Sequence, residues 1–156
     1  MRKYAWIAAL VLAADQLSKL AARQLQGAVT LIPGVLGLRY AENTGMAFSL
    51  FSGMPWALGF VSAGVIVLGW LALRRYRLGA PAAIAAMLML GGACGNMLDR
   101  FIHGYVVDMI QPLFVNFAIF NLADSALTIG CVLMAWSLLF RPQDWSKKHG
   151  DTQGNV

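Results

Sequence analysis

The chain has 156 residues, of which 59% are hydrophobic and only 12% are charged, and its mean hydropathy is +0.64. Soluble domains usually contain about 25% charged residues, so a water-soluble domain could not cover its surface with this composition. Disordered chains are polar and poor in aromatic residues, which excludes disorder. The composition predicts an integral membrane protein. Its net charge of +5 comes from basic residues beside apolar runs, which indicates membrane topology rather than nucleic-acid binding.

Uncharged runs in the sequence predict four membrane-spanning helices. A span needs about 20 residues, and the run at 43–73 is too long for one span, so we expect a break at Gly53-Met54-Pro55. The predicted spans are 4–25, 55–74, 81–100 and 122–140, within one domain at 1–142 followed by a polar tail at 143–156. The first span also begins as a cleavable signal peptide does, but no convincing small-x-small cleavage site follows it.

The basic residues predict the orientation of these spans. Eight of the twelve Lys and Arg residues precede span one, separate spans two and three, or follow span four. Basic loops stay in the cytoplasm, so we expect both termini inside and loops 26–54 and 101–120 outside. These outer loops are apolar and β-prone at 29–32, 35–40, 105–110 and 113–120. The predicted fold is an all-α membrane protein with four transmembrane helices and a small β-like cradle on the outer, periplasmic face.

Five acidic residues fall within the spans or on their outer side, where an intramembrane carboxylate costs roughly 2.5–3.5 kcal/mol and marks a functional candidate. Helix geometry places Asp15 about 17 Å from the inner end of span one, and Asp124 about 24 Å from the inner end of span four. The acids thus gather near one depth, which suits a reaction centre better than an ion pathway. They are Asp15, Glu42, Asp99, Asp108 and Asp124.

Most of these residues also have a structural interpretation, which the sequence leaves open. Asp15 and Lys19 have the i,i+4 spacing of a helix ion pair. Asn121 and Asp124 have the spacing of an N-cap and a third-position acid. Asn96, Asp99 and Arg100 lie on one helix face and are typical of a polar lock, while Gly91 and Gly95 allow close helix packing.

Asp108 is different, because it is the only charge in an apolar, β-like run from Tyr105 to Ile110. Burial there would raise its pKa, as a general acid or base requires. Two carboxylates that share a proton can activate water for peptide hydrolysis without a metal. The sequence has no His-Glu-x-x-His motif, no ligand cluster suited to zinc and no Gly-rich phosphate loop. We therefore expect neither a metal nor a cofactor.

Five motifs together resemble the bacterial lipoprotein signal peptidase family (signal peptidase II). They occur in order along the chain and form a specific set, although each is weak by itself. One departure is Gln111-Pro112, where many relatives carry an aromatic or acidic residue. The motifs are Asp15-Gln16-x-x-Lys19, Asn43-Thr44-Gly45-Met46-Ala47-Phe48, Gly91-Gly92 to Asp99-Arg100, Val106-Val107-Asp108 and Phe120-Asn121 to Asp124-Ser125.

This resemblance implies an intramembrane aspartic endopeptidase of the bacterial inner membrane, with Asp108 and Asp124 as its catalytic pair. It implies cleavage of prolipoproteins before a diacylglyceryl-modified cysteine, contact with membrane lipids, and inhibition by globomycin. The rival hypothesis is a small proton-coupled transporter or channel subunit that uses the same acids. The residues implied to support or line the site are Asp15, Lys19, Asn43, Gly45, Asn96, Asp99, Arg100 and Asn121.

Overall fold

Four long helices dominate the computed structural model, which describes residues 2–45 and 53–147. All four are long and apolar enough to cross a membrane, which confirms the predicted helical membrane fold. They are α1 (Ala5–Ala22), α2 (Pro55–Leu73), α3 (Ala80–His103) and α4 (Leu122–Phe140).

The exposed surface of the bundle is apolar, as expected for helices in lipid. Phe60 and Leu68 on α2 and Leu139 on α4 each expose about two thirds or more of their surface. Large apolar side chains rarely form such a continuous surface on a protein in water. The exposed side chains of these helices therefore contact the lipid bilayer. The chain is a multi-pass membrane protein.

Helix α3 is the centre of the bundle, because it packs against each of the other three helices. Most of its buried residues in the first half are alanines, including Ala82, Ala83 and Ala86. Farther along the helix, Gly92 and Asn96 are also buried. Small residues let membrane helices approach closely, so short polar side chains farther along α3 can reach partners on α1 and α4.

A three-stranded antiparallel sheet lies where α3 ends and α4 begins. Its strands are β1 (Val29–Ile32), β2 (Leu36–Asn43) and β4 (Val106–Pro112), in the order β1-β2-β4. Gly34 has a φ of +70° in the turn between β1 and β2, a conformation that glycine adopts without steric cost. This sheet confirms the predicted small β element.

Residues 113–120 do not form the strand that their composition predicted. They contribute only an isolated bridge between Phe120 and Ile110, with Phe114 exposed. Phe120 exchanges backbone hydrogen bonds with Ile110 of β4 directly before Asn121, the N-cap of α4, so the pairing cannot continue beyond it. Gln111 and Pro112, the departure from the family pattern, simply continue β4 opposite Gly37 and Leu36.

The predicted helix termini differ from the observed ones by more than one residue in two places. Helix α1 ends at Ala22 rather than at residue 25, and α3 continues to His103 rather than ending at 100. Asp99 and Arg100 suggested the end of a span, but both are buried against protein partners. Their charges therefore do not need to reach water, and α3 continues past them.

A two-stranded sheet at the opposite end of the bundle was not predicted. Strand β3 (Tyr76–Leu78) pairs with β5 (Trp145–Lys147), which begins just after the short helix Pro142–Asp144. The first residues of the predicted polar tail thus pair with the loop between α2 and α3. The division into a domain at 1–142 and a tail stays a prediction, and residues 148–156 lie outside the described part.

We expect Gly92→Ala to destabilise the bundle, because a Cβ at this position would lie 2.5 Å from the backbone oxygen of Ala123. Overpacking of this kind costs about 1–3 kcal/mol. The matched control is Gly69→Ala on α2, where an added Cβ meets nothing within 4 Å and the gain in helix propensity is about 0.5–1 kcal/mol. Melting temperatures in detergent should fall for the first variant and not for the second. Equal melting temperatures would contradict the close packing of α3 against α4.

Candidate active site

A buried lysine connects α1 to α3. Lys19 Nζ lies 2.8 Å from Asp15 Oδ2 and 3.0 Å from Asp99 Oδ2, and it donates a hydrogen bond to Asn96 Oδ1 at 3.0 Å. Lys19 is only 2% exposed. The pair predicted from i,i+4 spacing therefore supplies two charges of a three-charge cluster, and Asp99 on α3 supplies the third.

The two carboxylates of this cluster also hold backbone groups on other elements. Asp15 Oδ1 accepts a hydrogen bond from the N–H of Ala123 at the start of α4, at 3.0 Å, and Asp99 Oδ2 accepts one from the N–H of Val107 on β4, at 3.1 Å. Gln16 Nε2 donates to both carboxylates, at 3.2 and 3.1 Å. The cluster thereby positions α4 and β4 relative to α1 and α3.

Asn121 and Asp124 form a capping box at the start of α4. The Asn121 side chain accepts from the Asp124 N–H at 2.9 Å, and Asp124 Oδ2 accepts from the Asn121 N–H at 3.3 Å. The capping interpretation is therefore confirmed for both residues. However, the cap uses only one oxygen of Asp124, and Oδ1 accepts a 2.7 Å hydrogen bond from Asn96 Nδ2. Asp124 thus belongs to the cap and to the polar cluster.

Asp108 lies on β4 opposite Ala41 of β2 and is 3% exposed. Its Oδ1 accepts from Asn121 Nδ2 at 2.7 Å, and its Oδ2 accepts from Asn43 Nδ2 at 3.0 Å. Burial raises the pKa of Asp108 to about 6 and Asp124 adds to this rise, whereas the hydrogen bond from Asn43 opposes it. A carboxyl group with this pKa changes protonation state near neutral pH.

Two amides connect the two acids to the lysine cluster. Asn121 Nδ2 donates to Asn96 Oδ1 at 3.1 Å as well as to Asp108, and Asn96 Oδ1 also accepts from Lys19. The positive charge of Lys19 therefore fixes which end of the Asn96 amide faces Asp124, because the oxygen is held by donors on the other side.

Arg100 holds the chain that follows β2. Its Nη2 donates to the Gly45 carbonyl oxygen at 2.9 Å and its Nη1 donates to the Asn96 carbonyl oxygen at 3.2 Å. The Gly45 N–H in turn donates to Asn43 Oδ1 at 3.0 Å, so the Asn43 amide nitrogen points to Asp108. The motif residues 46–48 lie outside the described part.

Asp108 and Asp124 line a shared cavity of about 530 Å³. Asn43, Asn96 and Arg100 supply the rest of its charged and amide lining. Its other walls are largely apolar and come from the segment before α4 and from one face of α4; they include Phe117, Ile119, Phe120, Leu127 and Ile129. The cavity therefore places two carboxylates beside a surface suited to apolar groups.

All ten residues predicted to form or support a site lie in this one hydrogen-bonded network. The prediction missed Gln16, which bridges Asp15 and Asp99, and the apolar wall formed by 117–120. Gln16 could have been found, since it is the second residue of the first motif. No motif in the sequence indicates that residues 117–120 form this apolar wall. Within 2–45 and 53–147 there is no group of three or more His, Cys, Asp or Glu placed to hold a metal ion.

The raised pKa of Asp108 predicts how this residue affects stability at different pH values. A group with a higher pKa in the folded state favours folding fully below its unfolded pKa of about 4. That contribution is lost as the pH rises through about 6. Asp108→Asn removes this dependence, so its melting temperature relative to wild type should rise between pH 4 and pH 7.5.

The full difference between a pKa of about 4 and one of about 6 corresponds to roughly 3 kcal/mol. Asp144→Asn is the control, because it removes a carboxylate at the other end of the bundle. Thermal unfolding in detergent at several pH values measures both variants. A constant difference between Asp108→Asn and wild type across this range would contradict the raised pKa.

Comparison with known proteins places this architecture in a family. The family model for signal peptidase (SPase) II matches residues 7–140. The lipoprotein signal peptidase of Latilactobacillus sakei is 41% identical over 90% of this chain and 96% of its own length, and that of Nostoc sp. is 42% identical over 88% and 90%. A solved bacterial membrane enzyme structure superimposes with a TM-score of 0.81, at 27% identity, over 96% of this chain and 95% of the other. The chain belongs to the signal peptidase II family.

Proposed function

We propose that this chain removes signal peptides from prolipoproteins by hydrolysis, with Asp108 and Asp124 as the catalytic pair. Its family is one of peptidases, and relatives that match over most of its length are lipoprotein signal peptidases. The observation that carries the proposal is that two carboxylates, held by separate amide donors, line the same cavity. We further propose that the cleaved peptide bond lies just before a diacylglyceryl-modified cysteine of the substrate.

The proposed reaction uses one ionised and one protonated carboxylate. The ionised group takes a proton from a water molecule, whose oxygen attacks the carbonyl carbon of the scissile peptide. The protonated group donates to the carbonyl oxygen, and the collapse of the tetrahedral intermediate transfers a proton to the leaving amine. The raised pKa of Asp108 supports this scheme, since burial and the nearby Asp124 both favour its protonated form.

The neighbouring residues have proposed positioning roles. Asn43 and Asn121 hold the two oxygens of Asp108, and Asn96 holds one oxygen of Asp124. In this scheme their amides keep the carboxylates from rotating away from the water molecule. Farther from the acids, Asp15, Lys19, Asp99, Arg100 and Gly45 hold the elements that carry these amides.

The substrate proposal follows from the walls of the cavity. Phe117, Phe120 and Leu127 supply apolar surface beside the acids, which suits acyl chains and the hydrophobic part of a signal peptide. We also propose that globomycin inhibits the protein by binding in this cavity, and that membrane lipids surround it. Nothing in the comparisons favours the transporter alternative, and the polar groups gather at one end of the bundle rather than along it.

We also propose the bacterial inner membrane as the location, with both termini in the cytoplasm and the site near the outer leaflet. The basic residues at 74–77 lie at the end of the bundle opposite the carboxylate network, and basic loops remain in the cytoplasm.

We expect Asp108→Asn and Asp124→Asn to lose turnover by at least about 100-fold, since an amide cannot take a proton from water. Purified variants in detergent would be incubated with a diacylglyceryl prolipoprotein in the presence of a metal chelator. Wild type and the control Asp144→Asn should cleave, and both inactive variants should still fold and bind globomycin. Wild-type turnover in Asp108→Asn, or uncleaved precursor with folded wild type, would contradict the proposal.

Asp99→Asn is the contrasting variant in the same experiment. It leaves Lys19 with only Asp15 as a charged partner, and breaking a buried ion pair costs about 3–5 kcal/mol. We expect a lower melting temperature and reduced but measurable cleavage. Complete inactivity with unchanged stability would instead make Asp99 a member of the catalytic pair.

The orientation predicts labelling of single cysteines from opposite faces of the membrane. Gly27→Cys and Arg75→Cys would be made in a background that lacks Cys94 and Cys131. Both positions are exposed, and an added Cβ at Gly27 meets nothing within 4 Å. In intact cells a membrane-impermeant thiol reagent should label position 27 and not position 75. Labelling of both positions from the same face would rule out the four-span orientation.

A further inference from the structure

A basic cleft lies at the end of the bundle where α2 ends and α3 begins. It is an open cleft of about 630 Å³ lined by Arg74, Arg75, Tyr76 and Lys147. By helix geometry it is roughly 24 Å from the level of Asn96. The cleft is thus separate from the carboxylate cavity and has no part in the proposed reaction.

Pairing of β3 with β5 builds this basic cleft from two distant segments of the chain. Tyr76 pairs directly with Lys147, and Leu78 pairs with Trp145. Directly opposed residues of an antiparallel pair point to the same face, so Lys147 lies beside the Tyr76 ring. Arg77 pairs with Ser146 and points to the other face.

Contacts of Trp145 hold β5 in this position. Its ring centroid lies 5.9 Å from that of Tyr76, and its indole Nε1 donates to Ser137 Oγ on α4 at 3.1 Å. The Gly79 N–H also donates to the Asp144 carbonyl oxygen at 2.8 Å. The strand that carries Lys147 is therefore tied to α4 and to the start of α3.

The cations of the basic cleft have no anionic partner among residues 2–45 and 53–147. Arg74, Arg75 and Lys147 are exposed and take part in no ion pair of the described chain. The nearest acid in sequence to Lys147 is Asp144, which pairs with Arg141 at 3.5 Å. Three like charges gathered around one cleft repel each other unless an anion lies between them.

We infer that the basic cleft binds the phosphate headgroup of an anionic phospholipid. Arginine donates paired hydrogen bonds that match phosphate oxygens, and lysine adds a point charge. Basic pockets beside transmembrane helices bind such headgroups, and Tyr and Trp prefer this depth of the membrane. Directly before the cleft, the end of α2 exposes Trp70 and Leu71, which provides apolar surface for the acyl chains.

The test compares the binding of phosphatidylglycerol and phosphatidylcholine to the purified full chain by native mass spectrometry. Wild type should retain phosphatidylglycerol at much lower lipid concentrations than phosphatidylcholine. The variant R75Q/K147Q should bind phosphatidylglycerol about tenfold more weakly, since each basic residue near an anionic headgroup adds several-fold in affinity.

The matched control is R2Q/R77Q, which removes the same charge at the same end of the bundle and leaves the lining of the cleft intact. It should bind phosphatidylglycerol within about twofold of wild type. Lys147→Gln alone, at an exposed position, serves if the double variant does not fold.

Three results would overturn the inference. These are equal binding of the two lipids by wild type, equal weakening in R75Q/K147Q and in the control, and displacement of the lipid by millimolar inorganic phosphate, which would indicate a site for a soluble anion. None of these readouts depends on cleavage of a prolipoprotein, so failure here is distinguishable from failure of the proposed function.

Discussion

The ion pairs of one buried lysine fix the elements at the end of the bundle that carries the three-stranded sheet. Lys19 lies between Asp15 and Asp99 inside an apolar bundle, and all three residues are at most 2% exposed. Removing one partner from such a cluster leaves an uncompensated charge where water cannot reach it. Because the two carboxylates also bind backbone N–H groups of α4 and β4, one cluster sets the relative positions of four elements.

The small residues of α3 make this cluster possible. Aspartate and asparagine have short side chains, so their hydrogen bonds require helix axes that lie close together. At Gly92 and Gly95 an added Cβ would lie 2.5 Å from Ala123 O and Asp15 Oδ2, respectively. The glycines therefore belong to the same arrangement as the polar residues that follow them on that face of α3.

The hydrogen-bond network also gives the two acids of the cavity, Asp108 and Asp124, different environments. Asp108 comes from a strand and Asp124 from a helix start, and different amide donors hold them. Asp108 is buried and its pKa is raised to about 6, whereas one oxygen of Asp124 is used in the capping box. Carboxylates in unlike environments can take the unlike roles of acid and base. The proposed hydrolysis would use one of them as the base and the other as the acid.

Much of the fold and of the candidate site could be predicted from local sequence features. Long apolar runs require helices in a membrane, since backbone groups must be hydrogen-bonded within the segment. Charged residues such as Asp15 and Asp99 in the predicted spans indicated the candidate site, because a charge in lipid is costly unless it has a partner. The motif pattern then matched the family over most of the chain.

What only the tertiary structure decided is which partner each polar residue has. Asp15 and Ala123 are 108 residues apart, and Arg100 and Gly45 are 55 apart. The continuation of α3 past Arg100 and the pairing of β3 with β5 both depend on such distant contacts. The sequence by itself determined which residues must be buried in the membrane and which of them need partners, because hydrophobicity and charge are properties of each residue. The partners themselves depend on how closely the helices approach, which no local pattern encodes.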